Sequence, residues 1–224
     1  MAIGVRTSTA TSGPAGLNPT LVINAAVAAG DILVLAITNR GAVTSPTVTD
    51  DDAGGDTWHL LKNQDADTNG SVWVYWKRAT SGTASKTITM TGCSNSGAAV
   101  VTPFYNASRN PDPFTLTTPV AESNASGNET QAQITVGRAG SMVILVVGCT
   151  SNDTLNVASP ASTDPASLTE AAEGQSSTGS DCSVSLNYAI KTTAGATGAF
   201  TWAQTDGTGA SIAFALEPLG ITLT

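Results

Sequence analysis

The sequence predicts an all-β protein: a single antiparallel β-sandwich, jelly-roll-like, built from two similar halves. Three observations carry this. Only 12% of the 224 residues are charged, against about 25% in ordinary soluble domains. Lys and Glu, which cover exposed helix faces, are scarce, while Thr and Val abound. No stretch sustains a helical apolar period, and Pro165–Glu173 is the one place for a turn or two of helix. Finally, a continuous apolar run occurs twice. Ile32–Thr38 is entered through Ala28-Ala29-Gly30-Asp31, and Met142–Gly148 through Arg138-Ala139-Gly140-Ser141, so Gly140 matches Gly30 at 140 − 30 = 110 residues. Each run is too short to span a membrane and reads as a strand buried on both faces.

The other elements follow in order. Strands are expected at Ile3–Thr9, Thr20–Ile23, Thr47–Thr49, Trp58–Lys62, Ser71–Arg78, Lys86–Thr91 and Ala98–Tyr105. Turn residues punctuate them, as at Ser12–Gly16 and Asp65–Gly70. Asn106–Pro113 reads as a linker. Beyond it, strands are expected at Gln131–Val136, Ser141–Cys149, Asp153–Ala158, Leu168–Glu173, Cys182–Lys191, Ala199–Ala203 and Ala210–Leu216, with a loop at Ser159–Ala166. The repeat continues through this half. Thr192–Gly195 matches Ala79–Gly82 at 195 − 82 = 113, which puts Tyr188 on Tyr75. Ala199–Ala203 matches Thr87–Thr91, and Gly209–Ile212 matches Gly97–Val100, both at 209 − 97 = 112. The halves span about 1–107 and 112–220. Each alone would leave one apolar side wet, so the two face each other within one domain over 1–224.

Charge and motifs narrow the function classes. The net charge is −8 and the one basic pair is Lys77-Arg78, which excludes a nucleic-acid binder of the usual basic kind. No N-terminal basic and apolar signal segment and no transmembrane helix is read, so a chain made in the cytoplasm is expected. Five glycan sequons, at Asn69, Asn106, Asn124, Asn128 and Asn152, then read as Asn-rich turns. Cys93, Cys149 and Cys182 are an odd number and read as buried strand residues, with a Cys149–Cys182 bridge left open.

Asp50-Asp51-Asp52 with Asp56 is the densest acidic cluster. It could offer oxygen ligands to Ca²⁺, but it lacks the EF-hand spacing, and Asp and Gly are ordinary turn residues. A lone His59 reads as structural. GxSxG, a phosphate-cradling loop and a matched carboxylate pair are all absent from the sequence. The expectation is no catalysis, no metal and no cofactor. Cys182–Lys191 alternates apolar and polar, whereas Ser71–Arg78 is large on both faces. With Trp73 and Tyr75 in the core register of Leu186 and Tyr188, the side chains of Val72, Val74 and Trp76 point outward. They are the expected interface, covered by another chain, with self-association as a trimer the first form considered. Cover by the chain's own N-terminal segment is the competing reading.

Gly30-Asp31-Ile32-Leu33-Val34, Thr47-Val48-Thr49-Asp50, Trp58, Val74–Ala79 and Ala98–Tyr105 resemble a β-sandwich module common among phage virion proteins and phage-like or exported bacterial proteins. Thr169-Glu170, Ala194–Gly198 and Ala213–Pro218 extend the likeness over nearly the whole chain. Tyr105-Asn106-Ala107 departs from the module's usual turn sequence. The resemblance brings no catalytic motif. It implies a structural component of the virion: a capsid decoration (cement) protein whose partners are the major capsid protein and itself. The alternative is a tail or fibre module binding host-surface carbohydrate.

Overall fold

The computed structural model describes residues 1–13, 19–41, 44–52, 55–67, 70–93, 97–114, 117–124, 128–151, 155–157, 164–176, 181–203 and 208–220. Among these there is no helix. The strands are β1 (Gly4–Val5), β2 (Thr9–Gly13), β3 (Thr20–Val22), β4 (Ile32–Arg40), β5 (Thr47–Asp50), β6 (His59–Asp67), β7 (Gly70–Arg78), β8 (Thr87–Thr91) and β9 (Gly97–Tyr105) in the first half. The second half has β10 (Val120–Asn124), β11 (Asn128–Gln131), β12 (Thr135–Val136), β13 (Ser141–Cys149), β14 (Asn156–Val157), β15 (Thr169–Ser176), β16 (Cys182–Lys191), β17 (Gly195–Ala196), β18 (Phe200–Ala203) and β19 (Gly209–Leu216).

Pairing is antiparallel and nested. In the first half β2 pairs with β9, β3 with β8 and β4 with β7. In the second, β10 pairs with β19, β11 with β18, β12 with β17 and β13 with β16. A ribbon folded over in this way wraps as a jelly roll does. The result is two large sheets, β1–β9–β4–β7–β6 (β2 also on β9) and β10–β19–β13–β16–β15, with small sheets beside them.

Three cores follow from this layering. Ile32, Val34 and Ala36 of β4 meet Met142, Ile144 and Val146 of β13 between the large sheets. The other face of β4, Leu33, Leu35 and Ile37, packs under Leu21 of β3 and Ile88 and Met90 of β8. Val143, Leu145 and Val147 pack likewise under Phe200 and Trp202 of β18. Ile32–Thr38 and its counterpart are thus buried on both faces, as the unbroken apolar runs require. Each half was expected to bury one apolar side. It buries two, because a small sheet covers the outer face of each large one.

The large sheets cross so that β6 packs on β10 and β19, while β9 and β2 pack on β15. Arg40 bridges them, donating to the carbonyls of Thr150 (2.8 Å) and Asp181 (3.4 Å). Gly148 is required here: a Cβ would overlap Thr38 and Val72 of the facing sheet. Gly30 and Gly140 begin the two central strands at φ 91° and 80°, in the left-handed region that glycine enters freely. Their N–H groups donate to Ala79 and Lys191 carbonyls, both at 2.8 Å.

Registers place the strands of the two sheets in correspondence. Val34 lies opposite Trp76 on one side and Thr102 on the other. Ile144 lies opposite Tyr188 and Phe214. Trp76 therefore corresponds to Tyr188, at 188 − 76 = 112, and the expected offset of 113 for this strand is corrected by one residue. A one-residue slip exchanges the faces of a strand.

Other expectations are corrected too. The turn or two of helix allowed over Pro165–Glu173 does not form; the strand expected at Leu168–Glu173 is β15, Thr169–Ser176, an edge strand with a bulge at Glu170/Ala172. Gln131–Val136 is split between β11 and β12, and β10 was not anticipated. The three cysteines are buried and form no disulfide with one another. Burial pushes the Cys93 thiol up to about 11 and the Cys182 thiol up to about 12. Asn106 takes φ 59° at the Tyr105-Asn106-Ala107 turn, a conformation Asn tolerates. The sequons at Asn69, Asn124 and Asn152, the Ser12–Gly16 turn and most of the Ser159–Ala166 loop lie wholly or partly outside the described residues.

Candidate functional site

Val72, Val74 and Trp76 do not form a surface patch. They are 1%, 0% and 7% exposed, inside the core between the large sheets. The corrected register explains it: their counterparts are Val184, Leu186 and Tyr188, the apolar face of β16, not Ser185, Asn187 and Ala189. The second half of the same chain covers them. Trp76 is flanked by His59, with ring centroids 4.8 Å apart, and by Phe114 at 5.6 Å. Phe114 stands edge-on to Phe214 at 5.5 Å. The residue that closes this end thus comes from just beyond the Asn106–Pro113 linker, not from the N-terminal segment.

The acidic cluster is divided among separate tasks. The Lys77 ammonium, wholly buried, reaches Asp50 at 2.8 and 3.0 Å and Asp52 at 3.4 Å. Trp58 Nε1 donates to Asp50 at 2.8 Å. Asp52 also accepts from the hydroxyls of Thr83 (2.6 Å) and Thr80 (2.9 Å). The Thr83 hydroxyl above all, with Thr80 and Lys77, holds the Asp52 carboxyl below the usual carboxylate range against the opposing effect of burial. Asp51 accepts from the Thr87 N–H, while Asp56 accepts from the Thr57 N–H and sits 3.4 Å from His59. Among the described residues no group of three or more His, Cys, Asp or Glu is placed to hold a metal.

A second carboxylate clasp occurs at Asp164, 112 residues beyond Asp52 (164 − 52 = 112). It ties the turn after β16 as Asp52 ties the turn after β7. Asp164 accepts from the N–H groups of Thr192 (2.8 Å) and Thr193 (2.9 Å) and from the Thr193 hydroxyl (2.6 Å). Lys191 Nζ lies 3.5 Å from its carboxylate. Hydrogen bonds from the Thr193 hydroxyl, then from the Thr192 N–H, hold this carboxyl well below the usual range.

Beside Asp164 opens a groove of about 520 Å³, within the ligand-sized range of roughly 300–1,000 Å³. Ile3, Val5, Met142, Pro165, Tyr188 and Ile190 supply apolar walls, and Ser167, Thr169 and Thr192 supply hydroxyls. The Tyr188 ring meets Phe104 edge-on at 6.3 Å. The one carboxylate in the lining, Asp164, is already held by Thr192, Thr193 and Lys191. The lining thus offers both apolar walls and hydroxyls. Sequence reading missed Lys77 as a buried cation and Asp164 and Tyr188 as site residues. The signal available was the 112 offset, which aligns Asp52 with Asp164 and Thr80 with Thr192.

Compared with protein-family models and with curated proteins, the chain matches none.

Proposed function

We propose that the chain is a non-catalytic structural protein of a phage particle, a capsid decoration (cement) protein on the head surface, with the major capsid protein as partner. One observation supports a structural role above others: the charged side chains of the two carboxylate clasps are consumed in tying turns. Asp52 holds Thr80 and Thr83, Asp164 holds Thr192 and Thr193, and Lys77 neutralises the first of them. Three packed cores make a stiff body of this kind. The protein–capsid surface does not include Val72, Val74 or Trp76, and a trimer would need another face. Quantitative mass spectrometry of purified particles tests the proposal. High copy number on heads, with heads less heat-resistant when the protein is deleted, is the expected result. Absence from particles, or a few copies confined to the tail, overturns it.

A tail or fibre module binding host carbohydrate is the second reading. The groove favours it, since an aromatic ring beside hydroxyl donors suits a sugar's apolar face and its OH groups. Glycan-array binding lost on Tyr188→Ala would support it.

A further inference from the structure

Lys77 carries a nucleophile that the fold otherwise uses only as a charge. It lies on β7, and its side chain is wholly buried. Lysines are almost never buried so completely unless a partner holds them. Here Nζ lies 3.0 and 2.8 Å from the two oxygens of Asp50, at the end of β5, and 3.4 Å from Asp52. Those two side chains are 4% and 5% exposed. Trp58 Nε1 donates to Asp50 Oδ2 at 2.8 Å, and the Asp52 N–H donates to Asp50 Oδ1 at 3.1 Å. Gly55 closes over the group: a Cβ there would overlap both the Asp52 carboxylate and Lys77 Nζ. An amine, a carboxyl, a second carboxylate and a donor to the carboxyl oxygen are thus packed together, nearly shut off from water.

We propose that Lys77 and Asp50 condense into an intramolecular amide, a covalent staple between β7 and β5. A proton passes from the ammonium to Asp50 Oδ1, leaving a neutral amine and a neutral acid. The Nζ lone pair then attacks Asp50 Cγ. Trp58 Nε1 stabilises the negative charge that develops on Oδ2. Asp52, held in place by the hydroxyls of Thr80 and Thr83, takes a proton from Nζ and passes it to Oδ1. The Cγ–Oδ1 bond breaks, water leaves, and the Nζ–Cγ bond remains. Ammonium plus carboxylate gives amide plus water, so nothing is oxidised or reduced and Asp52 ends as it began. In bulk water hydration of both charges opposes this condensation. Well-positioned groups react at effective molarities of about 10⁵–10⁸ M, and burial removes the opposing hydration. A cleft of about 170 Å³ bordered by Asp50, Asp52 and Gly55 gives the released water a way out. The link would close the 27-residue span between Asp50 and Lys77 and so restrict the unfolded chain.

The other buried lysine is an internal control. Lys191 lies 3.5 Å from the Asp164 carboxylate and donates to the Asp164 main-chain carbonyl at 2.8 Å. The carboxylate itself is engaged by Thr192 and Thr193. No amide is expected there.

The test is the intact mass of the full chain, purified folded and denatured for mass spectrometry. The parent is expected to be lighter than its sequence by one water. Protease digestion should give a branched peptide joining Lys77 to Asp50, with tryptic cleavage after Lys77 lost. Lys77→Arg, which keeps the charge, and Asp50→Ala should each restore the full mass. Asp52→Asn should slow the condensation at least about tenfold, the loss expected on removing a proton-transfer group. That rate is read as the fraction of lighter chain against time after cell-free synthesis. A folded parent that keeps its full sequence mass after days of incubation overturns the proposal. So does a missing water that maps to a linear peptide, as a succinimide would, or one that persists in Lys77→Arg. An unchanged rate in folded Asp52→Asn overturns the role given to Asp52. The branched peptide is read on the parent itself, so the outcome does not depend on a variant folding.

Discussion

The Asp52 and Asp164 clasps tie corresponding turns and differ in depth. The Asp52 side chain is 5% exposed and its Lys77 partner 0%, whereas Asp164 is 23% exposed and Lys191 4%. The same contrast holds at the ends of the inter-sheet core, where Trp76 is sealed by Phe114 and Tyr188 borders an open groove. One strand plan therefore yields a closed end and an open end. Both ends share the antiparallel strand pairing, so the difference lies in the side chains that meet there.

The largest expected effect breaks the closed end. Trp76→Ala removes a ring packed against His59 and Phe114 and should destabilise by ~3–5 kcal/mol in denaturant titration. Tyr188→Ala, at the half-buried counterpart, should cost clearly less. Equal losses would show that the groove end is as tightly packed as the other.

Removing the buried cation comes next. Lys77→Met leaves Asp50 and Asp52 facing each other without their ammonium, and breaking a buried pair in this way typically costs ~3–5 kcal/mol. Lys191→Met should cost less, because Asp164 keeps its bonds from Thr192 and Thr193 and some water. If the two variants melt alike, burial does not distinguish the clasps.

The smallest effect is a pH dependence. Both carboxyls are held below the usual range in the folded chain. A lowered folded-state value means the stabilisation is fully present above the unfolded value, about 3.9, and is lost as pH falls through the folded one. Asp52→Asn and Asp164→Asn should therefore each be less stable than the parent at pH 6. The gap should close as the pH drops toward 2, read from melting temperatures across that range. A gap that stays constant would assign the effect to shape rather than charge.

Much of the architecture was legible because it rests on local chemistry. Ile32–Thr38 has no polar residue to expose until Thr38, so it had to lie between two layers. The Gly30 and Gly140 match found the start of both central strands because a positive φ and a tight turn favour glycine there. The Asp50–Asp52 cluster was visible as a feature, but its chemistry depended on Lys77, 27 residues from Asp50, which no local pattern joins to it.

By itself the sequence determined that the described residues form strands and no helix, and that the runs at Ile32–Thr38 and Met142–Gly148 are buried on both sides. Alternation and apolar runs report how many faces of a strand are buried. They do not report which face looks which way when both are apolar, and Ser71–Arg78 is such a strand. Its phase was decided by pairing with β4, where Val34 meets Trp76. That one-residue choice put Val72, Val74 and Trp76 inside the molecule. The tertiary structure also decided where the inter-sheet space is sealed and where it stays open, because that depends on Phe114, Phe214 and Trp76 converging from three distant segments.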